Sequence, residues 1–338
     1  MKRFLLMAAI VSAPFSVTAQ TINPVVAQVV DTHILPRFQS LADSSANLAM
    51  AAQNECSQTS LSLREAYSHS FDAWVSASHL RFGPTEVDDR AFALAFWPDS
   101  RGVTPKSLNA LITNEDPVVA SVETYGDVSI AARGFYALEF LLFDETLTEL
   151  GNTDYRCTLI QTLTADIAST SAAILTDWQE NYVQTLLQPT PEGKYRSEDE
   201  VLQELFKALT AGLQFTSETR LGRPLGTFDR PRPRRAEAWR SMRSSHHVSL
   251  SLKALGDLSD ILAQSDPALA RRIKSSNQKT LGLLEKLADP TFSSVATPQK
   301  HLKVEVIQQS IDATRAIIGT ELGPTLGVAA GFNSLDGD

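Results

Sequence analysis

Between Arg133 and Phe143 the chain reads RGFYALEFLLF, with one carboxylate, Glu139, set among apolar side chains. Burying a carboxylate with no partner is strongly unfavourable, so this glutamate demands a reason. On a helix Tyr136 and Glu139 are three positions apart and project from one face, and Arg133 lies three residues earlier on the same stripe. A phenol, a carboxylate and a guanidinium emerging together from an oily surface either satisfy one another in a core or line a site. Two potential ligands do not by themselves name a metal.

Other chemistry has less support. HExxH is absent, and the histidines at 33, 69, 79, 246, 247 and 301 contain no i, i+4 pair, which excludes a zincin-type site. Adjacent His246 and His247 would point about 100° apart on a helix and read as a solvated or capping pair. No GxSxG is present, so a nucleophilic serine has no signature. The stretch from Gly222 to His247 carries Arg223, Arg230, Arg232, Arg234, Arg235, Arg240 and Arg243 against only Asp229 and Glu237. On an acidic chain this reversal of sign suggests an anion site, counter-charges to buried carboxylates across an interface, or a solvated basic loop. Arg240 and Arg243 share a face if this segment is helical.

The elements that must position these residues read as helices. Ile22, Val25, Val26, Val29 and Val30 open a helical stripe that Pro36 should kink or end. Leu63, Tyr67, Phe71, Trp74 and Val75 form a second, and Ile160, Leu163, Ile167, Ile174, Trp178, Tyr182 and Leu186 a third. QPTPEGKYRSEDE, from Gln188, then interrupts as a linker. Beyond it Val201, Leu202, Leu205, Phe206, Leu209 and Leu213 resume the period until Gly222. A long helix is expected over 236–263, and another over 301–318 ended by Gly319. Alternating strands are absent. The expectation is all-α, with one bundle over 20–188 and a second over 197–338. FWPDSRGVTPKSL (96–108), the arginine stretch and the C-terminal 321–338 are irregular and polar, where binding residues tend to sit.

Residues 1–19 have the basic start, apolar centre and Val17-Thr18-Ala19 end of a secretory leader, which predicts export. No cysteine follows to take a lipid, and no later run is long and apolar enough to span a bilayer. The net charge of −9 becomes more negative once Lys2 and Arg3 are removed, so nucleic acid is not an expected partner. In an oxidising compartment Cys56 and Cys157 most simply form one disulfide; two buried thiols are the other reading.

Several blocks then occur in order: FGP at 82–84, FWPDSRG at 96–102, RGFYALEFLLF at 133–143, PRPRRAEAWRSMRS at 231–244 and GFNSLDGD at 331–338. This order over essentially the whole exported chain resembles the imelysin-like family, also classed as M75 peptidases. The resemblance implies a periplasmic protein of two related helical bundles with a site in the crevice between them and a link to bacterial iron uptake. It also implies a ligand site containing Glu139 and Tyr136, with Arg133, Trp97 and Asp99 on one side and Arg240, Ser241, Asn333 and Asp336 on the other. Arg133 and the arginine stretch would neutralise Glu139.

The family's signature is Gly-x-His-x-x-Glu. Gly134 and Glu139 match it, but Tyr136 replaces the histidine. A phenol is a poor ligand for Zn²⁺, Cu²⁺ or Fe²⁺ at neutral pH and a good one only as phenolate on a strong Lewis acid. The substitution therefore either shifts preference to Fe³⁺ or abolishes metal binding, and it argues against peptidase activity. A binding protein passing a metal or metal-linked ligand to a membrane iron-uptake component is the leading expectation. A metal-independent binder or scaffold for a small anion is the alternative, and an M75-type metallopeptidase comes last.

Overall fold

The computed structural model of the protein describes residues 22–328; the leader expected at 1–19 and the C-terminal Asn333 and Asp336 lie outside them. The apolar stripes fold as helices: α1 Leu35–Asn54, α2 Leu61–Ala77, α3 Val103–Asn114, α4 Gly134–Phe143, α5 Thr153–Asp177, α6 Glu198–Gln214, α7 Ser244–Leu262, α8 Pro267–Leu287 and α9 Pro298–Ile317. Among the described residues there is no strand, only an isolated bridge between Thr227 and Arg230. No helix is long and apolar enough to cross a membrane among those residues.

Local chemistry sets the helix starts. The side chains of Ser60, Asn152, Ser197 and Asp266 accept bonds from the otherwise unpaired first amides of α2, α5, α6 and α8. Glu198, Asp199 and Glu200 in the first turn of α6 also favour its positive end.

In the first half α1 packs on both α2 and α5; in the second, α7 packs on α6 and α8, and α8 on α9. Contact between α2 and α7 joins the halves. Cys56, just beyond α1, is disulfide-bonded to Cys157 in α5, with Cα atoms 5.1 Å apart. Closing a loop of this length removes unfolded-state entropy equivalent to roughly 4–5 kcal/mol. The interrupting stretch is irregular from Gln188 to Ser197, and its last three residues open α6. Tyr195 nevertheless ties it down, buried and hydrogen-bonded to Tyr182 and Glu204.

Three expectations about helix limits need correction. Of the two outcomes expected at Pro36, a kink or an end, the end does not occur, because a widened π-helical turn, Val30–Ile34, carries the chain past it into α1. Gly319 does not end the last long helix, which continues through a π-helical turn, Ile318–Leu322; a single glycine weakens a helix without stopping it. The helix expected over 236–263 begins only at Ser244. Ala238 and Met242 adopt positive φ (48° and 59°), which no helix accommodates, so residues 236–243 form a strap.

Candidate functional site

Helix α4 is nearly all buried, and its position depends on Gly134. That residue has φ +74°, and a Cβ there would lie 2.2 Å from the Leu94 carbonyl oxygen. Any side chain would push α4 off its neighbour, so glycine sets the height at which Tyr136 and Glu139 meet the rest of the protein. Both are buried, at 6% and 2% exposure. Phe71 of α2 braces the helix, stacked on Phe135 and edge-on to Tyr136.

The strap lies against α4. Tyr136 Oη donates to Glu237 Oε1 at 2.5 Å, and Arg220 Nε donates to Glu237 Oε2 at 2.7 Å. Arg220 and Glu237 are each 3% exposed, so this charge pair is fully desolvated. His247 is also buried; its Nδ1 lies 3.4 Å from Glu237 Oε2, without the alignment of a hydrogen bond. Burial alone would raise Glu237, but Arg220 and His247 beside it hold its carboxyl well below the usual range. Burial, with Glu237 adding to it, pushes the Tyr136 phenol well above its ordinary value.

Glu139 is satisfied differently. Its Oε1 accepts from the backbone N–H of Ser241 at 2.9 Å and the Ser241 hydroxyl at 2.8 Å. Burial raises its pKa, and Ser241 and the nearby Arg240 only partly reverse that rise. The strap's arginines pair elsewhere: Arg240 with Asp144 at 2.8 Å, packed over the Phe140 ring, and Arg243 with Asp72. Asp72 also takes His246 Nε2 at 2.9 Å. This part of the arginine stretch therefore supplies counter-charges to first-half carboxylates. Glu139 is thus held in its apolar setting by a backbone amide and a hydroxyl.

Arg133 does not neutralise Glu139. Its backbone is extended (φ −105°, ψ 164°) at the residue before α4, so it leaves the helix stripe. Its guanidinium instead makes two bonds to Asp166, at 2.9 and 2.7 Å. The reading of His246 and His247 as a solvated or capping pair fails for His247, which is buried against Phe71. Trp97 is brought to the centre, stacked on Tyr136 with ring centroids 6.0 Å apart. Asp99 lies at its edge, where its carboxylate accepts the amides of Arg101, Val103 and Thr104 at the start of α3.

Sequence reasoning missed Glu237, Arg220, His247 and Asp72. Glu237 did carry a signal: an acid within a basic stretch is the mirror image of Glu139 within an apolar one.

A bare ferric ion does not fit these residues as arranged. Its phenolate ligand would have to form at Tyr136, whose proton bonds Glu237 and whose pKa is raised. Glu139 already accepts two donors from Ser241. Among the described residues no group of three or more His, Cys, Asp or Glu side chains is placed to hold a metal ion.

The sequence matches the family model for imelysin, Peptidase_M75, over residues 34–318. No curated protein matches it. Its fold is similar to a crystal structure of an imelysin-like protein from Psychrobacter arcticum 273-4, with TM-score 0.76 and 20% identity, covering 91% of this chain and 96% of that one. It is also similar to a "putative iron-regulated protein A precursor" from Parabacteroides distasonis ATCC 8503, with TM-score 0.73 and 12% identity, covering 87% and 93%. With most of its length matched by the family model and the all-helical fold shared with these structures, the chain belongs to the imelysin family.

Proposed function

We propose that this is a periplasmic binding protein of bacterial iron uptake that takes iron inside a larger ligand, not as a bare ion held by Tyr136 and Glu139. Its two bundles, 20–188 and 197–338, would meet over the Tyr136–Glu139 face and hand the ligand to a membrane component. Family membership and a structural neighbour named for iron regulation support the setting. The observation that carries the ligand reading is the hydrogen bond from Tyr136 to Glu237. The carboxylate that accepts the phenol's hydrogen bond is itself fixed by Arg220, so the tyrosine that replaces the motif histidine is engaged in holding the halves together. A chelated ion, its coordination filled by its own oxygens, asks the protein only for shape and charge.

Isothermal titration of residues 20–338 with ferric citrate, and separately with Fe²⁺, Zn²⁺ and Cu²⁺ salts, tests this. Saturable heat with the ferric complex and none with the bare ions is expected. Stoichiometric binding of a bare ion that disappears in Glu139→Ala would overturn the reading.

A further inference from the structure

We infer that Trp97, Arg223 and Arg235 form a binding site for a small polycarboxylate anion, at the mouth of the buried centre and distinct from its charge pairs. The argument begins with arginines left over. Arg240 and Arg243 have carboxylate partners, but Arg223, Arg230, Arg232, Arg234 and Arg235 form no ion pair among the described residues. On a chain of net charge −9, five such cations in thirteen residues form a pronounced patch of opposite sign.

Two of them converge. Gly226 turns the chain tightly, since a Cβ there would lie 2.6 Å from the Arg230 carbonyl oxygen. The bridge between Thr227 and Arg230 closes that turn, and the Arg232 amide returns to the Pro224 carbonyl at 2.8 Å. The returning chain packs the Pro233–Arg235 turn against Gly222–Leu225, and Arg235, after the larger effect of burial, disfavours the charge of Arg223. The Arg223 guanidinium lies over the Trp97 ring, 5.7 Å from its centroid, and its Nε is buried with no hydrogen-bond partner among the described residues. Asp99 is the carboxylate that favours the charge of Arg223, but its oxygens also serve three backbone amides. Arg223 and Arg235, neither in an ion pair among the described residues, leave excess positive charge beside an aromatic floor, and Trp97 stacks on Tyr136.

Two forked guanidiniums match an anion that offers more than one carboxylate, each able to accept paired N–H bonds. Such anions are also hard-oxygen chelators of Fe³⁺, so the inference rests on and deepens the proposed function, while the site itself needs no metal.

The test uses metal-free citrate, titrated into residues 20–338 and the variants Arg223→Gln, Arg235→Gln and Trp97→Phe. Arg272→Gln, which breaks an exposed pair with Glu321, serves as control. Expected are saturable binding that weakens with added salt, a loss of roughly tenfold or more in each mouth-arginine variant, and wild-type affinity in the control. Ligand-dependent quenching of tryptophan fluorescence should shrink in Trp97→Phe. Circular dichroism should show all variants folded at the titration temperature, so weakened binding reports the site and not the fold. Absence of citrate binding, or wild-type affinity in both arginine variants, would overturn the site. Binding of citrate with refusal of its ferric complex would leave the site standing and sink the iron reading. Binding of the ferric complex unaffected by either arginine change would do the reverse.

Discussion

Arg220 and Arg223 are three residues apart, and their surroundings could hardly differ more. Arg220 is 3% exposed, bonded to an equally buried Glu237 that also takes the Tyr136 hydroxyl. Arg223 is half-buried, lies on a tryptophan face and has no ion-pair partner among the described residues. A guanidinium taken fully out of water must be matched, and the structure matches it with a carboxylate from the strap. One that keeps contact with solvent can stay unmatched and so remains available to a ligand. The two arginines thus separate a centre that holds the halves together from a mouth that can recognise something.

The largest effect expected from breaking this contrast is on stability. Arg220→Ala leaves Glu237 charged and buried without its cation and should lower unfolding free energy by about 3–5 kcal/mol in urea titration. Arg223→Gln, by contrast, should cost no more than ~1 kcal/mol. If the two variants melted alike, the distinction between centre and mouth would collapse. Tyr136→Phe removes only the donor to Glu237 and should cost about 1–3 kcal/mol by the same measurement.

A subtler contrast lies within the centre. Glu237 is held down by a guanidinium, whereas Glu139 is raised by burial with mainly neutral donors around it. Glu237 therefore adds stability above its unfolded value of 4.5, and that stability is lost as the pH falls. For Glu139 the sign reverses: its contribution is full below 4.5 and is lost as the pH rises through its raised folded value. Glu139→Gln keeps an acceptor for Ser241 and removes the charge. Its stability relative to wild type should climb as pH increases from 4.5, and a flat difference would refute the assignment.

The smallest effect concerns a second buried pair. His33 and His79 share a hydrogen bond between Nε2 atoms, 2.8 Å apart, near Arg37 and Arg220. Burial lowers both, taking His79 to about 3. Stability from keeping them neutral is complete above 6.5 and declines as the pH falls toward 3. His79→Gln should flatten that part of a pH–stability profile.

Periodicity made the helical class legible, because stripes such as Leu63, Tyr67, Phe71 and Trp74 admit few other readings, and they lie on α2. The strap was hidden for a physical reason. Its bends fall at Ala238 and Met242, residues that normally avoid positive φ and so leave no glycine or proline signal. A helical reading of 236–243 gives Arg240 and Arg243 a common face that the strap does not have. Arg133 misled for a related reason: the stripe counts residues, but the helix starts at Gly134. Tyr136 and Glu139 were found because they break an apolar pattern. Arg220 and His247 were not, because one charged or polar residue on an amphipathic helix breaks nothing, and only tertiary packing shows which face it takes.

The most direct test of the central claim compares two residues under one ligand. Ferric citrate titrated side by side into Arg223→Gln and Tyr136→Phe should lose roughly tenfold or more of its affinity in the first and far less in the second. The opposite order, with binding abolished by the lost hydroxyl and indifferent to the lost guanidinium, would return the iron to Tyr136 and contradict the account.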